Sequence, residues 1–578
     1  MTLGPETSHP LQDTGDDTVI SIPRLPAEAS PRHEELWKEM LVHSEAIRGL
    51  KSRWNTLATI STLPDEILAE IFFQLNLLYR NDELEWRTIH RYEWINVCQV
   101  CSHWRTVALS SSRLWSDITV TRSMSWMREV LARSQQAPLR VQFAMVNLAD
   151  GMDQAARLFL EELARVEEAV IGVTTDAFEV LNGLDRPAPL LRFLTVKAVY
   201  YRAPRPPGTP PIYPALQVLT RPFVGRLERL NLLGCPFPWN TPLSFTSLSH
   251  LTLVGTGVDR PHMPDVTVTL THLRLLKCLD LEDILPMLPK NVSSVPASQA
   301  VVRMAYLENL RLVGETIDCA YMLSHLTFPP SISLVLRCTS KRGLADLVML
   351  IKDRLPQMQR PRTLLFDEDF SESHFHVRVS TNDGPPADGV PFPLVITFRS
   401  DPQTFAAESH TQCAIAFCLR LGVAHVRHLH VAGIIPPMYD EDQTKEWLQL
   451  FVHLNSLTVL SMSGLAAYRL PDMLKARAWD DSNRLSLPNL RRAEVERVSF
   501  GVAETFQRGQ PGDFTEQLVQ SLDIRAREIA TFGTLVIRRS KCVDMPDIRT
   551  LEKAVENVEW DGIVDTSPSP EDFELNYY

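Results

Sequence analysis

A loose internal repeat runs through most of the chain after residue 190 and restricts what that region can fold into. Its copies have the form Leu-x-x-Leu-x-Leu, with Val, Met or Ala replacing Leu in the weaker ones. They are Leu191/Leu194/Val196, Leu227/Leu230/Leu232, Leu248/Leu251/Leu253, Leu307/Leu310/Leu312, Val426/Leu429/Val431, Leu457/Leu460/Met462 and Leu490/Ala493/Val495. Adjacent copies lie about 21 to 36 residues apart, and a gap remains between Leu312 and Val426. A strand at each interval, followed by a returning loop or helix, predicts a stack of repeats.

This pattern resembles the leucine-rich-repeat family in an irregular form. The copy that begins at Leu227 also places Cys235 three residues after its last Leu, where that family has Asn or Cys. The resemblance implies that residues 119–560 form an irregular leucine-rich-repeat-like solenoid. The expected fold class is therefore α+β, with N-terminal helices followed by an α/β repeat region.

The third and fifth positions of each predicted strand point away from the buried positions, because successive side chains in a strand alternate between faces. Stacking would gather them on one surface. The candidate target-binding residues on that surface are Arg229, Asn231, His250, Asn309, Arg311, His428 and His430. A mixed polar surface with Arg and His suits a protein ligand or an acidic peptide. The alternative interpretation is that these are ordinary solvated strand residues.

Two amphipathic segments, Ile60 to Leu75 and Ile95 to Ile118, form a different kind of module. In the first, Pro64 lies in a first helical turn and Asp65 and Glu66 follow, where carboxylates favour a helix N-terminus. The apolar residues that recur at helical spacing in the two segments are Ile67, Leu68, Ile71, Phe72, Leu75, Val97, Cys98, Cys101, Trp104 and Ala108. Short helices of this size bury little apolar surface alone, so the module is expected to need a partner.

At these residues the chain resembles the F-box family. The matching positions are Leu63, Pro64, Glu66, Ile67, Leu68, Ile71, Phe72, Val100, Cys101, Trp104, Arg105, Leu114 and Trp115. The stretch Asn76 to Trp94 is longer than the usual link between the first two helices. Similar insertions, followed by a segment like Trp126 to Val141, are typical of F-box-like proteins of mushroom-group fungi. The predicted F-box-like domain spans residues 59–118.

The resemblance implies a receptor in an SCF-type E3 ubiquitin ligase, in which the F-box holds a Skp-type adaptor and the adaptor holds a cullin. Carried over by position, Leu63, Pro64, Ile67, Leu68 and Ile71 would face the adaptor. Val97, Cys101 and Trp104 would be shared between adaptor contact and packing. The alternative is that all of these are core residues of an ordinary helical hairpin.

A heptad pattern precedes this module, in residues 31–58. Its members alternate at steps of four and three and are Leu36, Met40, His43, Ile47, Leu50, Trp54 and Leu57. They predict either a short coiled coil that forms a weak homodimer or an amphipathic helix folded against the F-box. Residues 1–30 are rich in Pro, Thr, Ser and Asp, and residues 561–578 are acidic, so both ends are predicted to be disordered.

Composition and motifs argue against several functional classes. A net charge of -12 disfavours a nucleic-acid footprint, and nine scattered cysteines suggest a reducing compartment, cytoplasmic or nuclear. No long apolar run or export signal is apparent. Cys98-x-x-Cys101 lacks a second ligand pair, and His428 with His430 lacks a carboxylate at fixed spacing, so neither predicts a metal site. The sequence predicts neither a cofactor nor an enzyme.

Three hypotheses follow, from different functional classes. The first is a substrate receptor that holds a target protein near the ligase and has no chemistry of its own. The second is an F-box scaffold without ubiquitin transfer, or a repeat-type protein-interaction module. The third is an enzyme or metal protein with a coincidental F-box pattern. Adaptor binding separates the third hypothesis from the others.

Overall fold

A computed structural model of the chain describes most of its residues. The described residues are 30–80, 92–121, 123–145, 154, 158–159, 161–173, 187–198, 226–239, 247–255, 260–288, 292, 294–296, 300–369, 374–384, 391–399, 410–433, 447, 449–477, 484–500, 514–529 and 532–563. The predicted disordered ends, apart from Ser30 and residues 561–563, and most of the predicted insertion lie outside them. The chain divides into two compact units, one of Met1–Phe143 with Gln154–Ala156, and one of Ala144–Asp153 with Arg157–Tyr578.

The first unit is mainly helical. Its helices are α1 (Pro31–Thr56), α2 (Asp65–Arg80), α3 (Val97–Val100), α4 (Ser102–Ser110) and α5 (Met124–Ser134), with short 3-10 turns at Thr59–Thr62, Glu93–Asn96 and Leu114–Ser116. Two parallel strands, β1 (Asp117–Thr119) before α5 and β2 (Leu139–Met145) after it, pair with each other.

Aromatic side chains fill the core of the first unit. Trp94, Trp115 and Trp126 meet edge to face in a row, with ring centroids 5.2 Å and 6.1 Å apart. Trp115 also donates a hydrogen bond from its indole Nε1 to the carbonyl oxygen of Ala108, 2.8 Å away. Because Trp126 lies on α5, the core continues beyond residue 118, where the sequence placed the end of the domain.

The second unit contains the repeats. Its strands are β3 (Val166–Val173), β4 (Phe193–Ala198), β5 (Arg229–Leu233), β6 (His250–Val254), β7 (Cys278–Glu282), β8 (Val302–Arg303), β9 (Asn309–Gly314), β10 (Leu326–Thr327), β11 (Ser333–Cys338), β12 (Thr363–Asp369), β13 (His374–Ser380), β14 (Leu394–Arg399), β15 (His428–Ala432), β16 (Val459–Ser463), β17 (Arg492–Glu496), β18 (Phe532–Arg538) and β19 (Val555–Trp560). Its helices are α6 (Met263–His272), α7 (Thr316–Ser324), α8 (Leu344–Arg354), α9 (His410–Leu421), α10 (Leu470–Lys475), α11 (Phe514–Glu528) and α12 (Met545–Leu551).

These strands form a long sheet that is mostly parallel. Neighbours pair in the order β3, β4, β5, β6, β7, β9, β11, β14, β13, β12, β15, β16, β17, β18 and β19. Only β13 runs antiparallel to its neighbours in this series. Strands β8 and β10 pair separately. The second unit is therefore a mixed α/β region with a parallel-rich sheet.

The register of the sheet places the repeat leucines in ladders. Leu230 lies beside Leu251, Leu251 beside Leu279, Leu279 beside Leu310, and Leu310 beside Leu334. All are essentially fully buried, and each buried leucine contributes about 1.5–3 kcal/mol by leaving water. The ladder leaves the alternate positions of every strand on the opposite face.

The gap that the sequence left between Leu312 and Val426 is occupied by β10 to β14. Strand β11 continues the parallel series, and β12, β13 and β14 form an antiparallel meander within the sheet. A Pro- and Gly-rich segment, residues 381–393, joins β13 and β14, and its residues 385–390 lie outside the described residues. The strand that follows β11 in the sequence, β12, lies three positions further along the sheet. The position beside β11 is filled by β14.

Candidate functional site

Helix α2 has one buried side and one exposed apolar side. Leu68, Phe72 and Phe73 are buried, whereas Ile67 and Ile71 remain 49% and 43% exposed. The helix begins after Pro64, whose carbonyl oxygen accepts hydrogen bonds from the amides of Ile67 and Leu68. What appears in the sequence as one apolar stripe is thus divided into a packing side and a free side.

Helix α4 packs beside α2 and fixes the second group of motif residues. The Trp104 ring lies 5.1 Å from that of Phe72. The Cys101 sulfur accepts a hydrogen bond from the Trp104 amide at 3.4 Å and so caps α4. Arg105 donates from Nε to the carbonyl oxygen of Cys98 at 2.9 Å. Cys98 and Cys101 therefore serve packing and capping, and burial raises the pKa of the Cys98 thiol.

Charged residues flank the two exposed isoleucines. His103 Nε2 lies 3.6 Å from a carboxylate oxygen of Asp65, which joins the starts of α4 and α2. Glu70 accepts a 2.7 Å bond from Arg113, whose guanidinium also lies 3.8 Å from the centre of the Phe73 ring. An apolar patch with charged neighbours on exposed helices has the composition of a protein-binding surface.

These helices and their aromatic core define a known domain. Residues 60–121 match the F-box-like family. F-box domains generally bind Skp-type adaptors and are typically non-catalytic. No curated protein matches the chain. The match lies within the first unit and covers helices α2, α3 and α4 and strand β1.

The structure separates the predicted adaptor-facing residues by exposure. Pro64, Ile67 and Ile71 are exposed, and Leu63, Cys101 and Trp104 are partly buried. Leu68 and Val97 are buried in the F-box-like domain itself, so in this conformation they pack and do not present a surface to a partner. Exposed apolar residues that the sequence did not select for this role are Ile60, Val100 and Leu109. Val100 belongs to the F-box pattern itself, whereas Ile60 and Leu109 lie beside it in the sequence.

The second candidate surface is the face of the long sheet opposite the leucine ladders. We call it the open sheet face and define it by alternate strand residues. Its members include all seven predicted positions, together with Asp280, Glu282, Arg337, Asp367, His376, Arg378, Ser461 and Glu494. The additional members come from β7, β11, the meander, β16 and β17. Strand β7 carries the repeat form Leu276/Leu279/Leu281, so its signal was present in the sequence.

Ion pairs within the open sheet face engage several of its charges. Arg311 donates to Asp280 and to Glu282, at 2.8 Å in both cases. Burial raises the pKa of Asp280 even with Arg311 beside it. By contrast, the guanidinium of Arg229 lies 5.6 Å from the centre of the Phe193 ring, and no carboxylate pairs with it among the described residues. The guanidinium of Arg229 is therefore more available than that of Arg311 to contact a ligand.

A second polar network follows the sheet toward β19. Glu494 accepts hydrogen bonds at 2.8 Å from Arg492 and from Ser461, and Arg492 also pairs with Glu559. Burial would raise the pKa of Glu494, but the bonds from Arg492 and Ser461 outweigh it, so its pKa lies below the usual range. His430 lies directly beside Ser461 in the register, and burial lowers its pKa.

The meander adds a third polar group between these two networks. His376 Nδ1 lies 2.9 Å from Thr397 Oγ1, and Arg378 donates to Asp367 at 3.3 Å. Burial lowers the pKa of His376, so its ring is mainly neutral at neutral pH. The predicted residues thus lie on one sheet face, in separate groups with this charged meander between them. Within the described residues, no group of three or more potential ligands is placed to hold a metal ion.

Proposed function

We propose that the protein is the non-catalytic substrate-recognition subunit of an SCF-type E3 ubiquitin ligase. The F-box-like domain would bind a Skp-type adaptor and, through it, a cullin. The observation that carries the proposal is the pair Ile67 and Ile71, two large apolar side chains left about half exposed on α2. Covering them in an interface would contribute about 1–2 kcal/mol for each side chain.

Adaptor binding is tested by co-expressing the full chain with a Skp-type adaptor and following co-elution on a size-exclusion column. We expect the wild type to co-elute with the adaptor. The double variant Ile67→Asp, Ile71→Asp should lose co-elution, because it places two carboxylates in the contact and leaves the packing side of α2 intact. Circular dichroism shows whether the variant remains folded.

Val268→Asp is the matched control, since Val268 is a similarly exposed apolar residue on a helix of the second unit. It should co-elute like the wild type. A folded wild-type chain that does not bind the adaptor contradicts the proposal. So does a double variant that binds as well as the Val268→Asp control.

The target protein would bind the open sheet face. Arg229, Asn231, His250, Asn309, His428 and His430 are the proposed contacts, and Arg311 would contribute through the carboxylates it pairs with. A photo-crosslinking residue at position 252, between Asn231 and Asp280 in the register, tests this. The crosslinked partner should be ubiquitinated by the reconstituted ligase. It should not be ubiquitinated when the ligase contains the Ile67→Asp, Ile71→Asp variant. A partner captured but not ubiquitinated would favour a scaffold role.

Two further assignments complete the proposal. We infer that the part of the predicted residues 119–560 that lies in the second unit forms an irregular leucine-rich-repeat type of stack, which the parallel strands and leucine ladders support. We also infer a type similar to the F-box-like proteins of mushroom-group fungi, which the long insertion after α2 supports. The protein would act in the cytoplasm or nucleus. None of the described helices is long and apolar enough to cross a membrane.

A further inference from the structure

Helix α1 carries an exposed apolar row along most of its length. The row, which we call the α1 seam, comprises Leu36, Met40, His43, Ile47, Leu50, Trp54 and Leu57. Its Leu, Met and Trp members are between 38% and 80% exposed, His43 is exposed, and Ile47 is partly buried. This concentration of large apolar side chains on one helix is unusual for a surface that meets only water.

The α1 seam is distinct from the most covered side of α1. Trp37 and Leu41 are partly buried and Ser44 is buried, and these residues lie on the neighbouring stripe of the helix. The heptad spacing of the seam is the spacing at which two helices pack along their full length. We propose that α1 pairs with α1 of a second copy of this chain, as an antiparallel two-fold helix pair.

The antiparallel direction follows first from the core layers. In a parallel pair, like positions meet, so two His43 rings would share one apolar layer. In an antiparallel pair centred near residue 45, Leu36 meets the partner copy's Trp54, Met40 meets Leu50, and His43 meets Ile47. Each layer then joins two different side chains, and the only polar member faces an aliphatic one.

The charges beside the seam favour the same direction. Glu39, Ala46 and Arg53 flank the seam on its uncovered side, and all three are exposed. The antiparallel register places Glu39 opposite Arg53 of the second copy, twice by symmetry, with Ala46 opposite Ala46 at the axis. A parallel pair would place Glu39 beside Ser44 and Arg53 beside Ala58, with no opposite charges in register. Charge complementarity therefore selects the antiparallel pair.

Charge reversal tests the pairing in the full chain, by sedimentation equilibrium over a range of concentrations. The wild type should associate from one chain to two. Glu39→Arg and Arg53→Glu should each weaken association about tenfold or more, because every variant pair opposes like charges at both flanks. An equal mixture of the two variants should restore association to about the wild-type strength, since each Arg then meets a Glu.

Glu45→Arg and Arg48→Glu are the matched controls, because they make the same charge changes on exposed positions of α1 outside the seam and its flanks. Each should associate like the wild type. A photo-crosslinking residue at position 36 should link to the segment around residue 54 of the other copy; a link to residue 36 would overturn the antiparallel direction.

Three other results would overturn the proposal. The wild type could remain a single chain at its highest soluble concentration, in which case another segment or partner covers the seam. The Glu39 and Arg53 variants could associate like the controls, or their mixture could fail to recover. Because neither adaptor nor target takes part in the measurement, its outcome is independent of the proposed ligase function.

Discussion

At the scale of single residues, Arg525 on α11 holds a buried position without a carboxylate partner in the described structure. Its guanidinium donates to the carbonyl oxygens of Leu474 and Ser486 at 3.3 Å and 3.1 Å, and also to that of Leu487. Burial lowers the pKa of Arg525 to about 10. One side chain thus satisfies three backbone acceptors where α10 and the following segment meet α11.

Replacing Arg525 with Met should lower the stability of the second unit by about 2–4 kcal/mol, since the buried carbonyl oxygens lose their donors. The measurement is the midpoint of thermal unfolding. Arg527→Met is the control, because Arg527 lies on the same helix and is exposed. Equal midpoints for the two variants would contradict the role given to Arg525.

At the scale of elements, the start of α8 depends on one glycine. Gly343 precedes the helix with φ +82°, and a Cβ there would lie 2.7 Å from backbone and side-chain atoms of Ile317 on α7. A larger residue would meet both the backbone penalty of positive φ and a clash with the neighbouring helix. The close packing of α7 and α8 therefore requires glycine at this position.

Gly343→Ala should cost clearly more stability than Gly384→Ala. Gly384 also has positive φ, +91°, but nothing lies within 4 Å of an added Cβ. The Gly384 variant thus reports backbone strain alone, about 1 kcal/mol, and the Gly343 variant adds overpacking of about 1–3 kcal/mol. Chemical denaturation of both variants gives the comparison. Equal losses of stability in the two variants would contradict the prediction, because they would show that α7 moves away from the added methyl group without losing packing energy.

The elements also show what the sequence can and cannot predict. The strands with leucine at their first, fourth and sixth positions were predictable, because burial on one side imposes that spacing. The meander was not, because β13 reverses direction and its buried Phe375, Val377 and Val379 give alternation without the repeat form. The F-box motif was equally visible, but the opposite exposure of Ile67 and Leu68 depends on where α4 packs, which spacing alone does not reveal.

At the scale of the whole molecule, neutral histidines are spread over the open sheet face. Burial lowers the pKa of His250, His376 and His430 below the ordinary value of 6.5. The unfolded chain binds protons at these sites more readily than the folded chain. Their contribution to stability is therefore fully present above pH 6.5 and is lost as the pH falls below it.

We accordingly expect the thermal midpoint to fall between pH 7.5 and pH 5.5, in part through His430, the most buried of the three. Glu494, Glu496, Asp367 and Arg378 act on this imidazole electrostatically and partly offset one another. His430→Gln should flatten the dependence on pH, whereas His272→Gln, on the exposed surface of α6, should leave it unchanged. A profile that His430→Gln does not alter would exclude this origin.

The reversed strand β13 also bears on how the chain can reach its final form. In a simple stack, each repeat contacts only its neighbours in the sequence, so folding can begin at any repeat and spread along the stack. Here β11 pairs with β14, which is synthesised only after β12 and β13. Strand β12 pairs on its other edge with β15, which is synthesised later still. The segment from residue 333 to 432 consequently has to assemble as one cooperative block. Synthesis that pauses within it would leave a strand edge exposed, and the chain should be most open to chaperones and to aggregation at that moment.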